Sequence, residues 1–172
     1  MYKAQILLLT FFLSFTVKNT FAQEHNSPDG IQWVSFEDAL ALSTKEPKKI
    51  FLDIYTGWCG WCKKLQADVF AKPEFISWAS KNVVLLELDF PRNKQLSPEL
   101  TQQNQNLQQT FQIAGYPTIW MFNLDKPDTS SKFNIDAIGS LGYPQGAELG
   151  KEQVKFLSDA NRLMDANKNG TK

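Results

Sequence analysis

The chain has 172 residues, 42% hydrophobic and 13% aromatic, with 18 basic and 18 acidic side chains in balance. That length is one domain's worth, with enough apolar side chain for a real core. The charge balance leaves no electrostatic footprint for nucleic acid or for an anionic membrane surface.

Met1-Tyr2-Lys3 is a positive start, Ala4 to Val17 is an almost unbroken apolar segment, and Thr20-Phe21-Ala22 brings small residues. This is the pattern of a secretory signal peptide, residues 1–22, cut after Ala22. The apolar segment is shorter than the roughly 20 residues a spanning helix needs, so no stable membrane insertion is expected after cleavage. Cleavage removes Lys3 and Lys18 and no acid, leaving a slightly acidic mature chain. Residues 23–30 are polar, with the turn cluster Ser27-Pro28-Asp29-Gly30, and read as a flexible lead-in. His25, the only histidine, falls there with no other ligand nearby and reads as solvent-exposed rather than metal-binding.

The domain itself is placed at 31–165. Ile31-Gln32-Trp33-Val34 predicts a short strand, and Ser35 caps a helix from Phe36 to about Lys45. Lys49 to Tyr55 is nearly all apolar, as for a strand covered on both faces. A helix from Cys59 to about Ala71 stops or kinks at Pro73, and Phe75, Ile76, Trp78 and Ala79 mark a second helical piece. Val83 to Phe90 reads as another buried strand, with a turn at Pro91-Arg92-Asn93. Ser97-Pro98-Glu99 opens a glutamine-rich helix that keeps an apolar stripe at Leu100, Leu107, Phe111 and Ala114. Strands at Thr118–Asn123 and Phe133–Leu141 follow, with a loop from Leu124 to Lys132 between them. A closing helix from about Ala147 to Met164 has Leu149, Val154, Phe156, Leu157 and Leu163 apolar, and 166–172 is expected to be a disordered tail. Asn169-Gly170-Thr171 fits a glycosylation sequon, a pattern short enough to recur by chance. The order implies an α/β fold, a central mixed sheet with helices on both faces.

Both cysteines lie in Trp58-Cys59-Gly60-Trp61-Cys62-Lys63, at the junction between the buried strand and the helix after it. Free backbone N–H groups and the positive end of the helix dipole stabilise a thiolate there. Cys62 is three residues on and so on the same face, with a Cα separation of about 5 Å, inside the window for a disulfide. A nucleophilic and a resolving thiol in one turn are the minimum for thiol–disulfide exchange. A bridge closing so short a loop adds little stability. A zinc site would need further Cys or His ligands that the chain lacks. No metal and no cofactor is therefore expected. Asp53, on an otherwise apolar strand, is costly to bury ionised, and its pKa should be raised.

These residues resemble the thioredoxin superfamily, over roughly Ile31 to Met164. Asp53 stands six positions before Cys59, where thioredoxins carry a buried acid, and Trp58 and Lys63 also fit. Ala114-Gly115-Tyr116-Pro117-Thr118-Ile119 is similar to the family's cis-proline loop facing the dithiol. The resemblance implies a thioredoxin-like fold, in which Cys59 attacks a client disulfide and Cys62 resolves the mixed disulfide. Asp53 would exchange a proton with Cys62. Tyr116 and Pro117 would seat an extended client chain. Trp58, Trp61 and Tyr116 would form an apolar rim, unless they pack in the core, the alternative that suits Trp58 best. The intervening Gly60-Trp61 pair places no positive charge near the thiolate, which points to a reducing or isomerising potential rather than an oxidising one. One departure stands out: Glu87 falls where thioredoxins have a strand lysine. If it faced the same way as Asp53, the two carboxylates would raise each other's pKa; otherwise it faces solvent.

The reading is an exported, periplasmic thiol–disulfide oxidoreductase of reductase or isomerase type. Its partners would be client proteins with disulfides or thiols and a separate redox partner protein. The rival readings are a binding module on the same fold with an idle dithiol, and a metallochaperone, for which Met121 and Met164 are poorly placed.

Overall fold

A strand buried on both faces belongs in the middle of a sheet, and Lys49–Tyr55 (β3) occupies that place, with Ile50, Phe51, Leu52 and Ile54 fully buried. The computed structural model describes residues 25–26, 31–46, 48–125 and 133–170. The expected signal peptide lies outside the described residues, as does most of the expected lead-in. His25–Asn26 (β1), however, pairs antiparallel with Gln32–Trp33 (β2). Val34 adds a single parallel bridge to Leu86 in place of a longer first strand.

The main sheet has four strands. Val83–Asp89 (β4) lies parallel to β3 on one side. Thr118–Asp125 (β5) lies antiparallel to β3 on the other, and Asn134–Leu141 (β6) is antiparallel to β5 at the edge. The register between β5 and β6 shifts at Met121/Phe122. A mixed sheet with helices on both faces is therefore observed, as the order of elements implies.

On one face pack Phe36–Lys45 (α1) and Pro98–Thr110 (α4), through Phe36, Ala39, Leu107 and the following Phe111. Both helices begin on the serines expected to cap them: Ser35 Oγ accepts from Asp38 N at 3.1 Å and Ser97 Oγ from Leu100 N at 3.2 Å. On the other face lie the dithiol helix Gly60–Leu65 (α2), Pro73–Asn82 (α3) and Glu152–Gly170 (α5). There Phe51, Phe70, Phe75 and Phe156 form a ring cluster with centroids 4.7–6.2 Å apart.

Three further elements differ from the sequence reading. The helix after Cys59 passes into a π-helical stretch over Gln66–Phe70, which puts Val69 and Phe70 into the core, and Pro73 opens the next helix rather than ending this one. In α4, Leu100 is 40% exposed while Asn104 is buried. The closing helix starts at Glu152, after Gly150 at φ +78°, and continues to Gly170. Leu149 thus lies outside it and is 91% exposed, and Val154 points outward. Among the described residues no helix is long and apolar enough to cross a membrane.

Candidate functional site

Parallel strands end at the same edge of a sheet, and an antiparallel neighbour begins there. The C-terminal ends of β3 and β4 and the start of β5 therefore bring three loops together: 56–59, 90–97 and 111–117. The sites expected from sequence lie in or beside these loops.

Cys59 is the N-cap of α2, with Cys62 one turn on. The two form a disulfide with their Cα atoms 5.3 Å apart. Cys62 N donates to Cys59 Sγ at 3.1 Å, so an orphan N–H of the first helical turn is aimed at the sulfur expected to act as nucleophile. Cys59 N in turn donates to Thr56 O at 3.0 Å, fixing the approach of the chain. In this disulfide form the two cysteines are buried alike, at 7% exposure for Cys59 and 8% for Cys62. What separates them is position: Cys59 caps the helix, and Cys62 lies within it.

Asp53 is 7% exposed, and its Oδ1 is buried without a hydrogen-bond partner among the described residues. It stands two residues on from Phe51 along β3 and so shares that residue's face, the side that α2 covers. Glu87 stands opposite it in the parallel register. Residues so paired point to the same face, so the open question about Glu87 resolves towards Asp53. Burial first, and the charge of Glu87 second, push the Asp53 carboxyl up to about 8. The same acidic neighbourhood, after burial, raises the phenol of Tyr55, which stands opposite Asp89 at the ends of the two strands.

The aromatic residues sort into two groups rather than one rim. Trp58 is 47% exposed, which removes the core-packing alternative for it. It meets Tyr116 edge-on, with ring centroids 5.9 Å apart, and Tyr116 in turn lies against Phe90 at 5.7 Å. Trp61, 52% exposed, packs against Tyr143 at 5.0 Å. Tyr143 donates its hydroxyl to Asp68 at 2.7 Å, and Lys64 pairs with the same carboxylate. The Tyr116–Pro117 peptide is cis and leads directly into β5, whose first residue, Thr118, pairs with Ile54.

Two contacts escaped the sequence reading: the Arg92 guanidinium lies over the Trp58 ring at 3.6 Å, and Tyr143 supports Trp61. A signal for the first was available. A turn after a strand parallel to β3 has to emerge beside the loop that follows β3. A cleft of about 340 Å³ lined by Ile31, Leu42, Ile76 and Val83 sits at the opposite ends of these strands and has no part in this chemistry.

A thioredoxin-like family model matches residues 32–123. The disulfide bond reductase DsbH of Chlamydia pneumoniae is 34% identical over 91 residues, which cover 52% of this chain and 54% of that protein. The thioredoxin-related protein DsbJ of the same organism is 29% identical over 163 residues, covering 93% of this chain and 45% of that one. This chain thus spans about half the length of the curated relatives it matches. Among solved structures, a DsbH oxidoreductase has a TM-score of 0.62 at 25% identity, over 78% of this chain and 85% of its own. A thioredoxin from Thermus thermophilus reaches 0.54 at 15% identity, over 77% and 85%, a likeness of fold alone.

Proposed function

Because this chain belongs to the thioredoxin-like family, we propose that it is a thiol–disulfide oxidoreductase exchanging disulfides with client proteins, and that it works in the reducing or isomerising direction after export. One observation carries this reading: Cys59 caps α2 while the N–H of its partner Cys62 points at its sulfur. That arrangement stabilises a Cys59 thiolate and keeps the second sulfur within one turn of it.

The Cys59 thiolate attacks a client disulfide, forming a mixed disulfide and releasing one client thiolate. Cys62 gives its proton to the Asp53 carboxylate and attacks Cys59 Sγ. The second client thiolate leaves, and Cys59 and Cys62 are joined in the disulfide described here. Two electrons have passed to the client, and a partner dithiol must return them. Trp58, Tyr116 and Pro117, beside the dithiol loop, would receive the client chain, with Trp61 on its Tyr143 support as a second contact.

The direction of exchange is supported by Gly60-Trp61, which sets no cation beside the thiolate, and export by the apolar N-terminal segment ahead of Ala22. Equilibration with glutathione tests the direction: the potential should lie at or below about −180 mV, and a value near −120 mV would mark an oxidant. Reduction of insulin disulfides, lost in Cys59→Ala, tests the activity itself.

A further inference from the structure

Beside the dithiol loop lies a cleft of about 290 Å³ lined by Gly57, Trp58, Asp89, Arg92, Asn93 and Lys94, with Pro91 in its wall. It lies at the sequence neighbours of Cys59 and is built mainly by the turn after β4. Arg92 and Lys94 are both exposed. Neither is among the cations in the ion pairs found between described residues, which are Lys48, Lys64, Lys151, Lys155 and Arg162. The Arg92 guanidinium carbon lies over the Trp58 ring, 3.6 Å from its centroid, an arrangement that restrains a long side chain. The N–H edges of a stacked guanidinium remain available, and their fork matches a carboxylate. Asp89, half-buried with its Oδ1 inside, also lines the cleft, so one carboxylate stands against two exposed cations. The wall next to the nucleophile is thus basic at its mouth, with an aromatic floor.

We propose that this cleft is a carboxylate-binding subsite, which selects client polypeptides carrying an acidic side chain next to their reactive cysteine. The proposal rests on the exchange reading above and names the class of client for that site. A chain attacked by Cys59 has to pass Trp58, and side chains alternate along an extended chain. A neighbour of the client cysteine is therefore carried towards Arg92 and Lys94. An acidic neighbour gains two charge-assisted contacts there, while a basic one is repelled.

The test uses three quenched peptide disulfides that differ only in Glu, Gln or Lys beside the reactive cysteine. At low ionic strength the Glu peptide should be exchanged about fivefold faster than the Lys peptide, the scale of exposed ion pairs. Salt should compress that ratio, because exposed charges are screened. In an Arg92→Gln/Lys94→Gln double variant the ratio should fall to about one. Equal rates for the Glu and Lys peptides in the unaltered protein, or a ratio that survives the double substitution, overturn the subsite. A second readout separates this proposal from the exchange reading: the same peptides with serine for cysteine are titrated against the Trp58 indole N–H by NMR. A shift with the Glu peptide alone, lost in the double variant, supports the subsite even if no disulfide is exchanged. Exchange of all three peptides alike with no such shift leaves the enzyme standing and removes the subsite.

Discussion

Asp53 and Glu87 are paired in register on adjacent parallel strands, and both face the side of the sheet that carries the dithiol helix. Two carboxylates so placed oppose each other's ionisation, and burial adds to the effect at Asp53. The acid proposed to take the proton of Cys62 is therefore mostly protonated at neutral pH and ionises on approach to about pH 8. Removing the neighbouring charge should ease that ionisation. In Glu87→Gln the Asp53 midpoint should fall below that of the unaltered protein, and in Glu87→Lys further still. Carboxyl 13C chemical shifts followed against pH report it directly, and a midpoint unmoved in both variants contradicts the coupling.

The same raised carboxyl links stability to pH. The folded protein holds the Asp53 proton more tightly than the unfolded chain, whose aspartate has an ordinary value near 3.8. The associated stability is fully present below that ordinary value and is lost as pH rises through about 8. Asp53→Asn removes the dependence. The variant should be the more stable protein at pH 9, by on the order of a few kcal/mol, with little difference at pH 4. Urea unfolding of both oxidised proteins across that range checks the sign. Asp53→Asn should also slow the resolving step, because Cys62 loses its proton acceptor.

Core and surface apolar residues of the closing helix region should separate cleanly. Phe156 is 1% exposed and packs against Phe51, Phe70 and Phe75. Phe156→Ala should cost about 3–5 kcal/mol. Leu149, 91% exposed, should change stability by less than about 0.5 kcal/mol when replaced by Ala. Denaturant midpoints at constant slope measure both.

Periodicity and punctuation made most of the fold legible. The nearly continuous apolar runs of β3 and β4 mark buried strands, and Ser35 and Ser97 mark helix starts where the structure has them. The dithiol's place at a helix N-terminus followed from the same reasoning. Features set by tertiary packing were harder to read. A π-helical stretch has no period of its own over five residues, so Gln66–Phe70 looked like a continuing α-helix. Asn104 reads as one more polar residue in a glutamine-rich run. It is buried because its Nδ2 donates to Asp89 O at 3.0 Å, across to the end of β4. Leu149 falls outside the helix because Gly150, at φ +78°, makes a turn that delays its start to Glu152, and one glycine among helix formers gives little sign of this in sequence. The facing of Glu87 depended on strand register, which a single sequence specifies only weakly. Arg92 on Trp58 required knowing which two loops meet.

In the proposed exchange Cys59 attacks the client disulfide and Cys62 clears the intermediate. Reduced Cys62→Ala protein, mixed with an excess of an oxidised peptide disulfide and analysed by mass spectrometry, tests it directly. A persistent adduct on Cys59 that reductant releases is expected, with none in Cys59→Ala and only transient adduct in the unaltered protein. No adduct from Cys62→Ala across several redox conditions would contradict it and leave a binding module whose dithiol is idle.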